Sequence, residues 1–350
     1  MNECSALTEV DVVDAERTLL QLFYGRWRSQ TLYAGVKLGV FEAVEPSATP
    51  IDRIAYGLGI DLELGYRLLR ALAALNVLQE HDGRRFSTTE AGQLLRADHP
   101  RSMRDAILLR EGTEHTAVWK HLPDIVRDGK QTGFIREYGT VAFDYAARVP
   151  PYNDAFNAGM NSQSNLHTIW ALEALRGCDL DSVVHMCDVG GGHGQLLCQI
   201  LAAYPGMRGT VLERAQVVDS ARTPWAEKLQ VADRCAFVAG DMFSAAPAAD
   251  AYVLKMILHD WDDAECAQIL DVLSRCVTRP GRVFIIEHVI PESTGADYAA
   301  LFDMHMMCWG TGRERSAYEY RRLLESSGWR FQGVWYPASG AIGVVEGRLA

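Results

Sequence analysis

Residues 185–205 read HMCDVGGGHGQLLCQILAAYP, and this stretch decides the fold class. An apolar run that ends at Val189 is typical of a buried strand, and apolar residues from Leu196 onward recur at helical spacing. Between them lie glycines, which permit backbone angles and close approaches that a Cβ would block. These glycines are Gly190, Gly191, Gly192 and Gly194. The stretch predicts a strand, a tight turn and a helix, whose exposed N–H groups suit a nucleotide or another polar ligand.

The spacing of the glycines leaves the ligand open. A dinucleotide-binding fingerprint, G-x-G-x-x-G, needs a glycine three residues after Gly192, and that position is Gln195. This departure argues against a nicotinamide-dependent oxidoreductase. An acidic residue, Asp188, precedes the turn. The pattern therefore indicates either another nucleoside-binding turn or a tight turn that binds nothing.

Length and charge exclude several classes of protein. The chain has 350 residues and a formal net charge of −11, with 48% hydrophobic and 23% charged residues. It is long enough for one large or two moderate domains. The negative charge argues against nucleic-acid binding, because phosphate contacts need a basic face. No apolar run approaches the ~20 residues of a membrane span, and we expect no signal peptide and no membrane association.

The cysteines favour a reducing, cytoplasmic location. They contain no C-x-x-C pair, and most have apolar neighbours, as small core residues do. An even number of cysteines in a chain of this length does not imply disulfides. The eight cysteines are Cys4, Cys178, Cys187, Cys198, Cys235, Cys266, Cys276 and Cys308.

The N-terminal part, residues 1–100, is expected to be a helical, winged-helix-like domain, because helices precede a small hairpin around Asp82 and Gly83. A winged-helix-like domain either binds DNA or serves for dimerisation without binding DNA. The last helix before the hairpin carries Arg67 and Arg70 among leucines, as a packing helix does. We therefore favour homodimerisation and keep a ligand-sensing transcription regulator as the alternative.

Four helix starts are predicted from capping residues. In the N-terminal domain, Thr49 is expected to cap one helix with Pro50 as its first residue, and Asp61 is expected to cap another. Ser87 followed by Glu90 predicts a capping box for a short helix after the hairpin. Asp262 followed by Glu265 predicts a second capping box in the C-terminal half.

The rest of the chain divides into a connecting region and an α/β domain. Residues 101–180 are expected to be mostly helical, with aromatic residues such as Phe143 that form either core or a pocket wall. Residues 181–350 alternate strands and helices, which predicts a Rossmann-like parallel sheet. The expected strands are SVVHMCDV, GTVLE, CAFVAGD, DAYVLKMI and GRVFIIEHV.

The ends of these strands carry the polar residues expected of a ligand site, because ligands of open α/β sheets bind beyond the carboxyl ends of the strands. A carboxylate at Glu213 is placed to accept both hydroxyls of a ribose. Asp241 and Met242, after the third strand, are placed to flank an adenine ring. Two further strand ends carry Lys255 and Glu287, so the pattern favours a nucleoside.

Five ordered motifs then make a family resemblance plain. DVGGGHG, GDMF, LKMILHDWDD, IIEHVIPE and GRERSAYEY resemble the S-adenosylmethionine-dependent small-molecule O-methyltransferases related to plant caffeate and flavonoid O-methyltransferases. The resemblance covers nearly the whole chain, including the helical N-terminal half, which dimerises in that family. Two positions depart from it, with Glu213 where the family has aspartate and Gln163 where it has histidine.

The resemblance implies S-adenosylmethionine as the cofactor and assigns residues to it. Gly190 and Gly192 would face the methionine part, and Ser164 would lie near its carboxylate. Glu213 would hold the ribose. The remaining cofactor-binding residues implied are Asp188, Asp241, Met242 and Lys255.

The same resemblance makes His259 the catalytic base and Glu287 and Glu314 the acidic residues that orient it. Physical chemistry supports these roles. A phenol, with a pKa of ~10, is mostly protonated at neutral pH, whereas a histidine of pKa ~6.5 can accept its proton. General-base help of this kind is typically worth ~10²–10⁴-fold in rate. A glutamate at the end of an apolar strand, such as Glu287, is costly to bury without a partner.

The acceptor is expected to be a phenolic small molecule of bacterial secondary metabolism. Alternative acceptors are nitrogen, carbon or a non-aromatic hydroxyl group. We expect no metal, because Mg²⁺ relies on oxygen ligands gathered around the substrate, whereas the histidine and the separate glutamates suit a metal-free base. The candidate acceptor-binding residues are Phe156, Met160, Asp260, Met306 and Trp309, of which Met306 and Trp309 share a helical face that core residues would also show.

Overall fold

The structure is a computed structural model, and it describes residues 9–220, 224–292, 298–338, 340 and 342–349. The chain divides into two compact units. One contains residues up to 117 together with 146–163, and the other contains 118–145 together with the residues from 164 onward. The division expected from the sequence, with boundaries at residues 100 and 180, stays a prediction.

The first unit is mostly helical, with a small sheet. Its helices are α1 Glu9–Phe23, α2 Gly25–Lys37, α3 Val40–Ala43, α4 Ile51–Leu58, α5 Leu62–Ala74, α6 Glu90–Gln93, α7 Arg104–Arg110 and α8 Thr113–Ala117. The strands β1 Thr49–Pro50, β2 Leu78–His81 and β3 Arg85–Thr88 pair in the order β1-β3-β2. Phe41, Leu69 and Leu72 are fully buried in its core. Helices followed by a hairpin are the winged-helix-like arrangement that the sequence predicts.

Two of the four capping predictions are confirmed. The prediction for Thr49 was wrong, because Thr49 belongs to β1 and α4 begins at Ile51, with Pro50 before it. The Asp61 side chain accepts a hydrogen bond of 2.8 Å from the N–H of Leu64. Asp262 and Glu265 form a capping box at the start of a helix of the second unit. The prediction for Ser87 was wrong, because β3 continues through it and its hydroxyl hydrogen-bonds His81 instead. Thr89 caps the short helix α6.

Helices α9 to α12 follow the first unit's helices along the chain, after a 3₁₀ turn at Val118–His121. They are α9 Leu122–Asp128, α10 Gly133–Tyr138, α11 Ala142–Arg148 and α12 Pro150–Leu175. The last two contribute residues to both units, because each crosses a boundary between them.

The second unit contains a seven-stranded sheet with the order β11-β12-β8-β7-β4-β5-β6. Its strands are β4 His185–Val189, β5 Arg208–Glu213, β6 Cys235–Ala239, β7 Ala249–Lys255, β8 Val277–Glu287, β11 Arg330–Trp335 and β12 Gly343–Leu349. Strands β4 to β8 are parallel to one another, and β12 pairs antiparallel with β8. The five predicted strands are confirmed, and β11 and β12 are additional.

Helices and two short strands complete this unit. The helices are α13 Gln195–Ala203, α14 Ala215–Ser220, α15 Pro224–Lys228, α16 Asp263–Cys276, α17 Tyr298–Trp309 and α18 Ala317–Ser326. The strands β9 Val289–Ile290 and β10 Arg315–Ser316 pair in parallel. Buried apolar clusters form the core of this unit, and the central strand β4 contributes Met186 and Cys187 to them.

The strand order places the glycine turn at the functional edge of the sheet. Chain order proceeds outward in one direction from β4 to β6 and in the other from β7 to β8, so the topology switches beside β4. Ligands of such sheets bind at this switch, beyond the carboxyl ends of the strands. Within the described residues, no helix is long and apolar enough to cross a bilayer.

Candidate active site

The glycine turn joins β4 to α13, and its conformation requires glycine. Gly190, Gly192 and Gly194 have φ of +68°, +57° and +74°, in the left-handed region that residues with a Cβ rarely adopt. A Cβ on Gly190 would also lie 2.5 Å from Cδ1 of Ile257. A Cβ on Gly192 would meet nothing within 4 Å, so the turn is open on that side.

A buried polar cluster lies at the ends of β4 and β7. The carboxyl of Asp188 is 2% exposed, and its pKa rises to about 7 because burial outweighs the attraction of Lys255. Burial also lowers the pKa of Lys255, to about 8, against the pull of Asp188. The Lys255 ammonium donates a hydrogen bond of 2.7 Å to the hydroxyl of Ser164 on α12. The structure therefore brings three predicted cofactor-binding residues together.

Glu213 at the end of β5 faces the glycine turn. Its Oε2 accepts a hydrogen bond of 3.2 Å from the N–H of Gly192, and its Oε1 accepts one of 2.8 Å from the N–H of Arg214. The carboxylate of Asp241, beyond β6, accepts hydrogen bonds from Phe243 N–H and the Ser244 hydroxyl. Two strand-end carboxylates thus have fixed orientations at the sheet edge.

A cavity of about 790 Å³ lies in the second unit, beyond these strand ends. It is of the size that small-molecule and cofactor sites have. Helices α10, α11 and α17 supply one part of its wall, and the turns after the strands supply the other. The predicted site residues that line it are Gly190, Glu213, Asp241, Met242, Asp260, Met306 and Trp309.

The helical wall of this cavity is aromatic. The rings of Phe143 and Trp309 meet edge to face with centroids 5.7 Å apart, and Phe134 meets Trp309 in the same way at 6.5 Å. On the strand side, the rings of Phe243 and Trp261 meet edge to face at 4.8 Å. The flat faces and edges of such rings suit a planar, apolar guest.

His259 lies in a 3₁₀ turn, Leu258–Asp260, that follows β7. Its Nδ1 is 2.8 Å from Oε1 of Glu314, and its other ring nitrogen is 3.7 Å from Oδ1 of Asp260. Burial lowers the pKa of His259, but the carboxylates of Glu287 and Glu314 outweigh it and raise the pKa to about 10. The ring is not part of the cavity wall among the described residues, although Asp260 is.

Glu287 holds the backbone of this turn rather than the ring. Its Oε1 accepts hydrogen bonds from the N–H groups of Ile257, Leu258 and His259, at 3.0, 2.9 and 3.3 Å. Its Oε2 is 3.7 Å from Nδ1 of His259, beyond hydrogen-bond length. Glu287 is fully buried, and burial raises its pKa to about 7. Met256, just before Ile257, has a φ of +54°, in the left-handed region.

Sequence reasoning did not single out several residues of the cavity. Phe134 lies on α10, in a segment where aromatic residues were ambiguous between core and pocket. Trp261 lies within the motif LKMILHDWDD, but no role was predicted for it. Phe134 lies near Phe143 in the sequence, and Trp261 lies two positions after His259. Both could have been found from these positions.

Two predicted acceptor residues and the absence of a metal remain predictions. Phe156 and Met160 belong to the first unit, so the cavity described here does not test them. Single ligand atoms of His259, Glu287 and Glu314 lie within 4.8 Å of one another, which is close enough for a metal ion. Oε1 of each glutamate, however, already accepts hydrogen bonds from the backbone or the ring.

Comparisons with known proteins identify the family. Residues 119–330 match the O-methyltransferase domain, and residues 20–98 match the O-methyltransferase dimerisation domain. The chain therefore belongs to the S-adenosylmethionine-dependent O-methyltransferases, and S-adenosylmethionine is its cofactor. The glycine turn, the open side of Gly192 and the Glu213 carboxylate at the cavity fit a nucleoside cofactor.

Individual relatives resemble the chain over almost its full length. Phenazine O-methyltransferase PhzM of Lysobacter antibioticus is 34% identical over 331 residues, covering 94% of this chain and 95% of that protein. The mitomycin biosynthesis 6-O-methyltransferase of Streptomyces lavendulae is 31% identical over 340 residues, covering 96% and 95%. The crystal structure of CalO1, a methyltransferase in calicheamicin biosynthesis in its SAH-bound form, superposes with a TM-score of 0.86 at 28% identity, covering 99% and 100%.

Proposed function

We propose that the enzyme transfers a methyl group to a hydroxyl of an aromatic small molecule in bacterial secondary metabolism, with His259 as the general base. One observation carries this proposal. The His259 ring is held at Nδ1 by Glu314, and its Nε2 lies 3.7 Å from Oδ1 of Asp260, a residue that lines the cavity. Orientation of one ring nitrogen by a carboxylate, so that the other accepts a proton, is the logic of catalytic triads.

The reaction needs one proton transfer and one displacement. S-adenosylmethionine, when bound, supplies a methyl group on a positively charged sulfur that leaves as a neutral thioether. The acceptor oxygen forms a bond to the methyl carbon as its own proton passes to Nε2 of His259. Nδ1–H donates to Glu314, whose negative charge stabilises the imidazolium that results. The proton then leaves to solvent, which restores the neutral ring.

The cavity wall supports an aromatic acceptor. Phe134, Phe143 and Trp309 present rings in edge-to-face contact, and Met306 adds a polarizable thioether. Asp260 lines the cavity and neighbours His259, so it is placed to orient the acceptor hydroxyl. Phe156 and Met160 remain proposed acceptor-binding residues.

The strand ends support a specific placement of the cofactor. In this proposal Gly190 and Gly192 face its methionine part, and Glu213 accepts the ribose hydroxyls. Asp241 and Met242 line the cavity and flank the adenine. The buried cluster of Asp188, Lys255 and Ser164 would lie next to the methionine end, where Ser164 and Lys255 offer hydrogen-bond donors.

We propose that the enzyme works as a homodimer formed through the N-terminal domain, without a nucleic-acid partner. Apolar side chains on the first two helices are exposed, with Leu22, Phe23 and Trp27 exposed by 72%, 68% and 62%. An isolated chain rarely leaves so many large apolar residues in water. The match of residues 20–98 to a dimerisation domain makes a second copy the proposed occupant of this surface.

We also propose a reducing, cytoplasmic location. All seven cysteines of the described residues are free thiols, and Cys4 lies outside those residues. The sulfurs of Cys198 and Cys235 are 3.8 Å apart, within hydrogen-bond distance, and they do not form a disulfide. Free thiols persist in compartments that keep cysteines reduced.

The test is a methyl-transfer assay with a panel of hydroxyphenazines, hydroxyquinones and hydroxybenzoates, with products identified by mass spectrometry. We expect a product whose mass is greater by one CH₂, with the new methyl group on oxygen. In His259→Ala we expect kcat to fall by ~10²–10⁴-fold. Dialysis against a chelator should leave turnover unchanged. Activity of His259→Ala within a few-fold of wild type would remove the base assignment, and methylation on nitrogen would change the acceptor class.

A further inference from the structure

The side chain of Arg315 lies beside the turn that carries His259. We propose that Arg315 is a positioning residue for methyl transfer, whose guanidinium fixes the turn Leu258–Asp260 so that the His259 ring stays on Glu314 and faces the acceptor. This inference rests on the proposed role of His259 as the general base. Neither the reaction proposed above nor the family match assigns a role to Arg315.

The guanidinium bridges both ends of the turn. Nη1 of Arg315 donates a hydrogen bond of 2.9 Å to the carbonyl of Leu258, and Nη2 donates one of 2.9 Å to the carbonyl of Trp261. These carbonyls lie one residue before and two residues after His259. A single planar group therefore sets the distance between the two ends of the segment that presents the imidazole.

Arg315 is itself anchored on its other side. Its Nε and Nη2 donate hydrogen bonds of 2.9 and 2.7 Å to Oδ1 of Asp263, the first residue of α16. Arg315 is 1% exposed, whereas the Asp263 side chain is 66% exposed. This ion pair should contribute little to stability, because the desolvation of the buried guanidinium offsets the attraction and the exposed carboxylate is screened by solvent. The burial of Arg315 is therefore better explained by the conformation that it imposes on the turn than by a gain in the stability of the fold.

Consecutive residues hold the turn at different points. Glu314 contacts the ring of His259, and the N–H of Arg313 donates a hydrogen bond of 2.8 Å to the carbonyl of His259. Arg315 then contacts the flanking carbonyls. The N–H of Glu314 is fixed by a 2.8 Å hydrogen bond to Oδ1 of Asp303 on α17. Movement of the Arg315 guanidinium would therefore change the geometry between His259 and Glu314.

Arginine is the residue that this geometry requires. Its guanidinium presents five donors in a rigid plane, while a lysine ammonium is a point charge on a flexible chain. Arg315→Lys therefore keeps the charge but cannot bridge Leu258, Trp261 and Asp263 together. A misplacement of ~1 Å at a reacting group can cost ~10²-fold in rate.

The experiment compares Arg315→Lys with Arg282→Lys. Arg282 is a buried arginine of β8 that donates Nε and Nη2 hydrogen bonds to Glu346 on β12, so it is a matched control for the loss of bridging hydrogen bonds. Measurements are melting temperature, kcat, KM for S-adenosylmethionine, and the pKa of His259 by NMR of histidine labelled with ¹³C at Cε1. The His259 signal is identified by its absence in His259→Ala.

We expect Arg315→Lys to lower kcat by ~10²-fold with KM for S-adenosylmethionine unchanged. The pKa of His259, raised to about 10 in the wild type by Glu287 and Glu314 with a smaller contribution from Asp260, should fall as the ring leaves Glu314. Arg282→Lys should lower the melting temperature and leave kcat and the His259 pKa unchanged.

Unchanged kcat and unchanged His259 pKa in Arg315→Lys would overturn the positioning role. If Arg315→Lys does not fold, Asp263→Ala replaces it, because this change removes the exposed carboxylate that anchors the guanidinium and leaves the core intact. Asp263→Ala should then show a smaller fall in both quantities, and wild-type values would overturn the proposal. Full activity of His259→Ala would instead show that the proposed function, and not the role of Arg315, had failed.

Discussion

His259 and Glu314 form a buried acid–base pair, and the pair predicts the pH dependence of the reaction. The imidazole must be neutral to accept a proton, and carboxylates that stabilise its cation raise its pKa to about 10. The group with the raised pKa loses its proton as pH rises through that value. Turnover at saturating substrates should therefore increase with pH across the alkaline range.

Glu314→Gln tests which group titrates. The substitution removes the negative charge that is 2.8 Å from Nδ1 of His259, so the ascending limb of the pH–rate profile should move to lower pH while the maximal rate falls. Ionisation of a phenolic acceptor, with a pKa of ~10, would give a similar limb in the wild type. Such a limb would stay in place in Glu314→Gln, which would contradict the assignment to His259.

The sequence indicated that His259, Glu287 and Glu314 belong together, but not which groups each glutamate contacts. His259, Glu287 and Glu314 were predicted together from the resemblance, with both glutamates orienting the histidine. In the structure Glu287 holds three backbone N–H groups of the turn, and Glu314 is the residue that contacts the ring. Such a difference depends on side-chain angles and packing, which residue types and spacing do not determine.

At the scale of elements, the glycine turn between β4 and α13 should be intolerant of substitution. Gly190→Ala would place a Cβ 2.5 Å from Ile257 and hold an alanine at a φ of +68°. Holding a residue other than glycine in such a conformation costs ~1–3 kcal/mol, and if cofactor binding requires that conformation the affinity should fall by roughly 5- to 150-fold. Calorimetric titration with S-adenosylhomocysteine measures this loss.

Gly206→Ala is the control for that titration. Gly206 follows α13, and a Cβ there would meet nothing within 4 Å. We expect the control to bind S-adenosylhomocysteine as the wild type does, with the same melting temperature. Equal affinity in Gly190→Ala and the wild type would show that the turn does not contact the cofactor.

The strands of the sheet were predictable where the sequence contains a short apolar run, whatever their burial. Strands β4, β5 and β7 are buried along most of their length, as expected for parallel strands covered on both faces, whereas β6 was predicted although it is largely exposed. The strands β11 and β12 were not predicted. The first is only partly buried and has an irregular register around Gly333, and the second contains two glycines and a buried Glu346 paired with Arg282. Glycine and charge weaken the apolar pattern from which strands are recognised.

At the scale of the whole molecule, the exposed apolar surface of α1 and α2 predicts a dimer that a single charge can dissociate. Phe23 is 68% exposed and Trp27 is 62% exposed. Phe23→Glu should place a charge in a buried interface and yield a monomer, measured by light scattering at micromolar concentration. Lys37→Glu, at the end of α2, is the control and should remain dimeric. A wild type that is monomeric would refute the proposed dimer.

Two separate sets of elements form the cavity wall, so one set can be changed without the other. The strand-end turns supply Gly190, Glu213 and Asp241, while the helices α10, α11 and α17 supply Phe134, Phe143 and Trp309. Libraries that randomise only the helical aromatics would leave the cofactor side untouched. Variants selected in this way should acquire new acceptor ranges at constant affinity for S-adenosylhomocysteine, which makes the chain a starting point for tailoring methyl-transfer biocatalysts.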